Sequence, residues 1–250
     1  MLKVMPSPLN NPNHDVTSKI TSDTFCGTYK NSTEKTSSSP SDRHIGHFKA
    51  ACSDNAITHL HSLMMSLPYR HGFSPHQWHQ VTDVMLEKQT FIPRIHRLRI
   101  ITLLESDFNH AHQILLARQL GNRLEENNLV PATQNGSHPG KLCISAVLHK
   151  VLTYNITQHK RTTAAFIEND AVGCYDHMVN NFLLLGLHRL GLPKPACTSI
   201  GKSWATAKHS IRTRYGTSEI MYSSIPRNPF LGLANVLRQV HSFGYYVIAS

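Results

Sequence analysis

Acidic residues are scarce in this chain: 15 Asp and Glu stand against 25 Lys and Arg, a formal net charge of +10 before any of the 18 histidines is protonated. Such a balance implies an acidic partner. Nucleic acid is the commonest, because each phosphate neutralised releases counterions, and membrane-surface or ribosome binding fits the same charge. Cysteine is also thin. Cys26, Cys52, Cys143, Cys174 and Cys197 are odd in number and widely spaced, with no Cys-x-x-Cys pair. That indicates neither a disulfide framework nor a zinc ribbon and leaves a reducing compartment as the default. No apolar run approaches the roughly 20 residues that span a bilayer. The N-terminus lacks the charged, apolar and small-residue order of a signal peptide. The chain therefore reads as soluble and intracellular, without a membrane partner, and its sequence does not separate nucleus from cytoplasm.

What is present is enough to fold. The 250 residues are 40% hydrophobic, sufficient to bury a core. Residues 1–43 are rich in Ser, Thr, Asn and Pro without an apolar period, and read as a disordered arm. From Phe48, the spacing of Ile57, Leu60, Met64 and Leu67 predicts a helix to about Ser66. Ser74-Pro75-His76-Gln77 offers a helix start ahead of Trp78, Val81, Met85 and Leu86, so a second helix is expected, with Lys88 near its end. Leu98 to Leu104 is β-rich and reads as a strand. A long helix should follow from Asn109 to Glu126, burying Ile114, Leu115, Ala117 and Leu120. Thr133 to Gly140 is turn material, and Ile144, Val147, Leu148, Val151 and Leu152 mark another amphipathic helix. A short strand is expected within 162–170. Helices over 178–190 and 194–207 are separated by Gly191-Leu192-Pro193. Residues 209–215 and 219–224 read as a hairpin.

The segment Phe166 to Asp176 carries the most chemistry. A buried strand there would deliver Asp170 to a cleft, with Tyr175-Asp176 following. Carboxylates so placed suit Mg²⁺, a hard ion that takes oxygen ligands and serves two-metal phosphoryl transfer. The same residues also suit simpler roles, Asp170 closing a turn and Asp176 capping the next helix. The histidine pairs His76/His79, His59/His61 and His110/His112 have no Cys or carboxylate at a ligand-like interval, so solvated histidines are the better reading. Gly136 to Lys141 has neither the glycine spacing nor the Ser or Thr of a phosphate-binding loop.

In this context Asp170-Ala171-x-x-x-Tyr175-Asp176 resembles the first catalytic motif of reverse transcriptases of the non-LTR retrotransposon type. Trp78 through Lys88 followed by Leu98-Arg99-Ile100-Ile101-Thr102-Leu103 is similar to that family's fingers, with Ile100 where the family has Pro. Gln134 to Gly140 resembles its Gln-x-Gly-x-Arg-x-Gly turn, with His138 at the Arg position. Ser41 to Lys49 resembles its lead-in. The resemblance implies an α+β fold: a helical fingers region packed on an incomplete antiparallel palm sheet, a truncated right hand. It divides the chain into the arm 1–43, a fingers-like region 44–160, a partial palm 161–225 and a divergent tail 226–250. It implies Asp170 as catalytic metal ligand for Mg²⁺ or Mn²⁺ with the Ala171 backbone beside it. Lys88 and Arg99 would lie on the triphosphate of an incoming dNTP, and Tyr175 under its sugar. RNA template and DNA primer are the implied partners. A cation at a helix end for Lys88, and a solvated strand residue for Arg99, are the simpler readings.

The chain also departs from that family. It contains no Asp-Asp pair, and its only acidic residue beyond Asp176 is Glu219. One carboxylate does not hold two Mg²⁺ ions against their hydration. The family's Gly-rich segment and thumb are not recognisable after Tyr222. The expectation is therefore a fragment of a reverse-transcriptase domain, interrupted or frameshifted near residue 225 and catalytically incomplete. A basic nucleic-acid-binding remnant without chemistry is the alternative.

Overall fold

A computed structural model describes residues 16–34, 40–88, 94, 98–131, 135, 140, 142–165 and 179–223. Within them the chain is α+β. Helices α1 (Ser22–Lys30), α2 (Ile45–Ala51) and α3 (Asn55–His71) come first. A 3₁₀ turn (His76–His79) leads into strands β1 (Gln80–Glu87) and β2 (Leu98–Leu103). One continuous helical run follows, made of α4 (Ser106–His112), a π-helical stretch (Gln113–Leu120) and α5 (Gly121–Glu126). Then come α6 (Cys143–His159), α7 (Asn180–Arg189), α8 (Lys194–Thr206), and strands β3 (Lys208–Thr213), β4 (Gly216–Thr217) and β5 (Tyr222–Ser223).

The sheet has the order β2-β1-β3-β4, with β5 also pairing to β3. β1 is antiparallel to β2 and parallel to β3, so the sheet is mixed, not antiparallel as expected. The parallel pair also joins strands from the supposed fingers and palm regions in one sheet. The hairpin expected over 209–224 forms in altered shape. Its tight turn lies at Arg214-Tyr215, and both β4 and β5 return against β3.

Several expectations need correction. The Ser/Thr-rich arm is not wholly disordered: residues 16–34 contain α1, and Val16, Ile20, Phe25 and Tyr29 are buried in the core. Thr21 caps α1 by accepting from the Thr24 amide at 3.2 Å, which stabilises a helix start of poor intrinsic propensity. The first expected helix is two helices, because Asp54 takes an N-cap and accepts from the Ile57 amide at 3.0 Å. The expected second helix is a 3₁₀ turn and a strand. Val81, Thr82 and Val84 are β-branched and stiff at χ1, and ladders on both sides of β1 satisfy its backbone groups.

The apolar stripe of α3 faces outward. Leu60 and Met64 are each 56% exposed, while the buried face carries Thr58, Ser62, Met65, Ser66 and Tyr69. The small hydroxyl residues there turn back on the helix, Ser66 Oγ donating to the Ser62 carbonyl at 2.7 Å, and let α1 pack closely. Ser66 Oγ also accepts from the Ile20 amide at 2.9 Å, tying α3 to the segment before α1.

The helical run from Ser106 to Glu126 matches its expectation, with Ile114, Leu115 and Leu120 buried. Its π-helical turns widen the period, so Leu116 is buried and Ala117 is only half-buried. Helix α6 forms as expected, yet none of its residues is buried. The α7–α8 break also holds. Gly191 adopts φ +109°, and a Cβ there would stand 2.7 Å from the buried Arg123 guanidinium. Residues 162–165 lack regular structure, and the remainder of that expected strand, like most of the turn at 133–140, lies outside the described residues. Among the described residues no helix is long and apolar enough to cross a membrane, and Cys26, Cys52, Cys143 and Cys197 are unbridged.

Candidate functional site

The β1–β2 hairpin is the part of the expected site that the described residues contain. Its antiparallel register pairs Leu86 with Arg99 and Glu87 with Leu98. Lys88 follows the last paired rung, so Lys88 and Arg99 come to the same end of the hairpin. Both are exposed, and neither meets a carboxylate among the described residues. Lys88 thus ends a strand, not a helix, which removes the reading of it as a helix-terminal cation. Exposed Arg94 lies in the connection between the two strands. Asp170, Ala171 and Tyr175 lie outside the described residues, as does Asp176.

The hairpin is anchored by a buried carboxylate that the sequence reading did not single out. Asp83 sits in the middle of β1 with no exposed surface. Thr102, directly opposite on β2, donates through Oγ1 to Asp83 Oδ1 at 2.7 Å. His209 Nδ1 on β3 lies 3.0 Å from Asp83 Oδ2, and the Tyr222 hydroxyl on β5 donates to the same oxygen. One side chain thereby joins four strands. The His209 and Tyr222 rings stack with centroids 5.2 Å apart. Burial pushes the Asp83 carboxyl up, but the hydrogen bonds from His209, Tyr222 and Thr102 outweigh it and leave the group below its ordinary value. The Tyr222 phenol is pushed above its ordinary value by burial and by the neighbouring carboxylate. A legible signal existed in Val81-Thr82-Asp83-Val84. Period two places Asp83 on the face of Val81, and a carboxylate on a buried face needs partners.

A half-buried carboxylate fixes the entry to β1. Asp107, in the first turn of α4, accepts from Trp78 Nε1 at 3.0 Å and from Gln77 Nε2 at 2.6 Å. Burial raises its pKa, and its own helix start, through the Phe108 amide, opposes that rise. The lead-in segment is held as well. Ser41 donates from its amide to Glu105 Oε1 at 2.9 Å and from its hydroxyl to Oε2 at 2.8 Å.

Chemically, Lys88 and Arg99 are two exposed cations at the same end of the paired strands, and such a pair suits a phosphate. Among the described residues no three His, Cys, Asp or Glu side chains converge as metal ligands. Compared with protein-family models and with curated proteins, the chain matches none.

Proposed function

We propose that the chain is a fragment of a reverse-transcriptase domain of the non-LTR retrotransposon type, whose retained capacity is binding of nucleotide and nucleic acid and not polymerisation. The observation that carries this reading is the hairpin register. It brings Lys88 and Arg99, eleven positions apart in sequence, to one tip, as two groups acting on one triphosphate require. The order of the four sequence elements from Ser41 to Asp176 supports it further. In this reading Lys88 and Arg99 stabilise charge on the triphosphate of an incoming dNTP. Asp170 belongs to the metal site for Mg²⁺ or Mn²⁺, Ala171 and Tyr175 lie beside the nucleotide, and RNA template and DNA primer are the partners.

Phosphoryl transfer of this kind needs more carboxylates than Asp170, and the chain has no Asp-Asp pair to provide them. Primer extension on an RNA template with dNTPs and Mg²⁺ or Mn²⁺ is expected to give no incorporation by the folded chain, matching its Asp170→Asn variant. Incorporation that Asp170→Asn abolishes would show that a complete site exists and would overturn the carboxylate argument. The net charge of +10 favours a second reading, a basic nucleic-acid-binding remnant. In that case affinity falls steeply with salt and does not depend on Asp170, Lys88 or Arg99 in particular.

A further inference from the structure

A cleft of about 510 Å³ opens at the other end of β1, between the 3₁₀ turn, the end of α8 and strands β3 and β5. Its polar lining consists of His76 and His79 from the turn, Gln80 from β1, Thr206 from α8, Lys208 from β3 and Ser223 from β5. Ala205 and Met221 complete the wall. Among the described residues no carboxylate lines the cleft beside Lys208, His76 and His79. The nearest acid in sequence on β1 is Asp83, which period two puts on the opposite face of the strand, where it is engaged by His209. Lys208 makes no ion pair among the described residues. The His76 and His79 rings stand 5.5 Å apart, and His79 Nε2 lies 3.0 Å from the Ser74 hydroxyl.

We propose that this cleft is a phosphate-binding site, with Lys208 as its fixed charge, His76 and His79 as donors, and Gln80, Thr206 and Ser223 as neutral hydrogen-bonding groups. Lys208 beside two imidazoles and three neutral polar side chains offers a charge and several donors in one place, and a phosphate supplies charge and acceptors together. The depressed pKa of His79 agrees. Burial lowers it most, and His76 and Lys208 lower it further. The cleft is distinct from the hairpin tip, since the length of β1, roughly 23 Å at ~3.3 Å per residue, separates them. It does not rest on the polymerase reading, because Lys88, Arg99 and Asp170 take no part in it.

Two probes test it on the full chain by calorimetric titration: inorganic phosphate, and a short single-stranded oligoribonucleotide. Lys208→Ala should weaken binding about fivefold, and Lys208→Arg should retain it. Lys194→Ala should have no effect; this control removes the same charge at the far end of α8, roughly 18 Å away. With the oligoribonucleotide, whose phosphodiesters keep their charge across this range, binding should be tighter at pH 6 than at pH 8, because bound phosphate favours protonated imidazole. That pH dependence of oligoribonucleotide binding should vanish in His76→Gln/His79→Gln. Loss with both probes would identify a backbone phosphate as the ligand, and loss with inorganic phosphate alone a small phosphate compound; each supports the site. Equal effects of Lys208→Ala and Lys194→Ala, or no response to either probe, would overturn it. Because Lys208 is exposed, both substitutions leave the core intact.

Discussion

Replacing Asp83 by alanine is expected to lower the unfolding free energy by about 3–5 kcal/mol, the loss typical of removing one partner from a buried charge cluster. The carboxylate accepts from Thr102 and Tyr222 and pairs with His209. Its removal leaves three polar groups of β2, β3 and β5 without their acceptor, each costing about 1–3 kcal/mol if nothing replaces it. Urea unfolding followed by circular dichroism measures the difference. Asp83→Asn keeps one acceptor oxygen and should cost less. The sign of the pH effect follows from the depressed carboxyl pKa. The contribution is complete above the ordinary carboxylate value of about 4 and is lost as pH falls through the lower folded value. The Asp83→Ala variant should therefore lack that part of the acid sensitivity.

His112→Leu should act in the opposite direction. His112 is fully buried against Tyr69 and Phe108, and neither ring nitrogen has a hydrogen-bond partner among the described residues. Desolvation lowers its pKa to about 3. A leucine at this place removes two unpaired polar atoms, and a gain of about 1–3 kcal/mol at neutral pH is expected. The proton linkage runs as for any histidine buried neutral. The unfolded chain binds a proton below about pH 6.5 that the folded chain refuses. Stability therefore falls as pH drops from 6.5 towards 3, by roughly 1 kcal/mol per pH unit from this group. The leucine variant should lose that slope. Only the part of this window below about pH 4 overlaps that of Asp83, so unfolding curves at pH 7 and pH 5 isolate the His112 slope. Unchanged stability and an unchanged slope would mean that His112 is paired in solution.

Sequence periodicity revealed elements whose neighbours in sequence define them. Helices α7 and α8 flank a Gly191-Leu192-Pro193 break, and β2 is a dense β-branched run. It failed where partners distant in sequence decide the outcome. Val81 and Met85 repeat at helical spacing, but β1 is held by β3, whose Lys208 pairs with Gln80. Nothing near residue 80 announces that pairing. The face that α3 buries is likewise decided by a distant partner. Ile57, Leu60, Met64 and Leu67 form the obvious apolar stripe, yet α1 packs on the small hydroxyl face. Phe25 and Tyr29, which fill the core beside it, sit in a Ser/Thr-rich segment whose composition hides them. Lys88 and Arg99 were picked out by a resemblance, and the structure shows them exposed at the same end of the β1–β2 pair. Asp83 was not singled out, because a buried carboxylate is recognisable only once its donors from β2, β3 and β5 are in place.

The most direct test of the functional account is the affinity of the full chain for a dNTP in the presence of Mg²⁺, measured by titration calorimetry against the Lys88→Ala/Arg99→Ala double variant. Both side chains are exposed, so the variant should unfold at the same urea concentration as the parent chain. The account predicts that the parent binds and that the double variant binds at least about tenfold more weakly, the loss of two charge-assisted contacts to phosphate. Equal affinity in the two proteins would contradict it and leave Lys88 and Arg99 as ordinary solvated side chains.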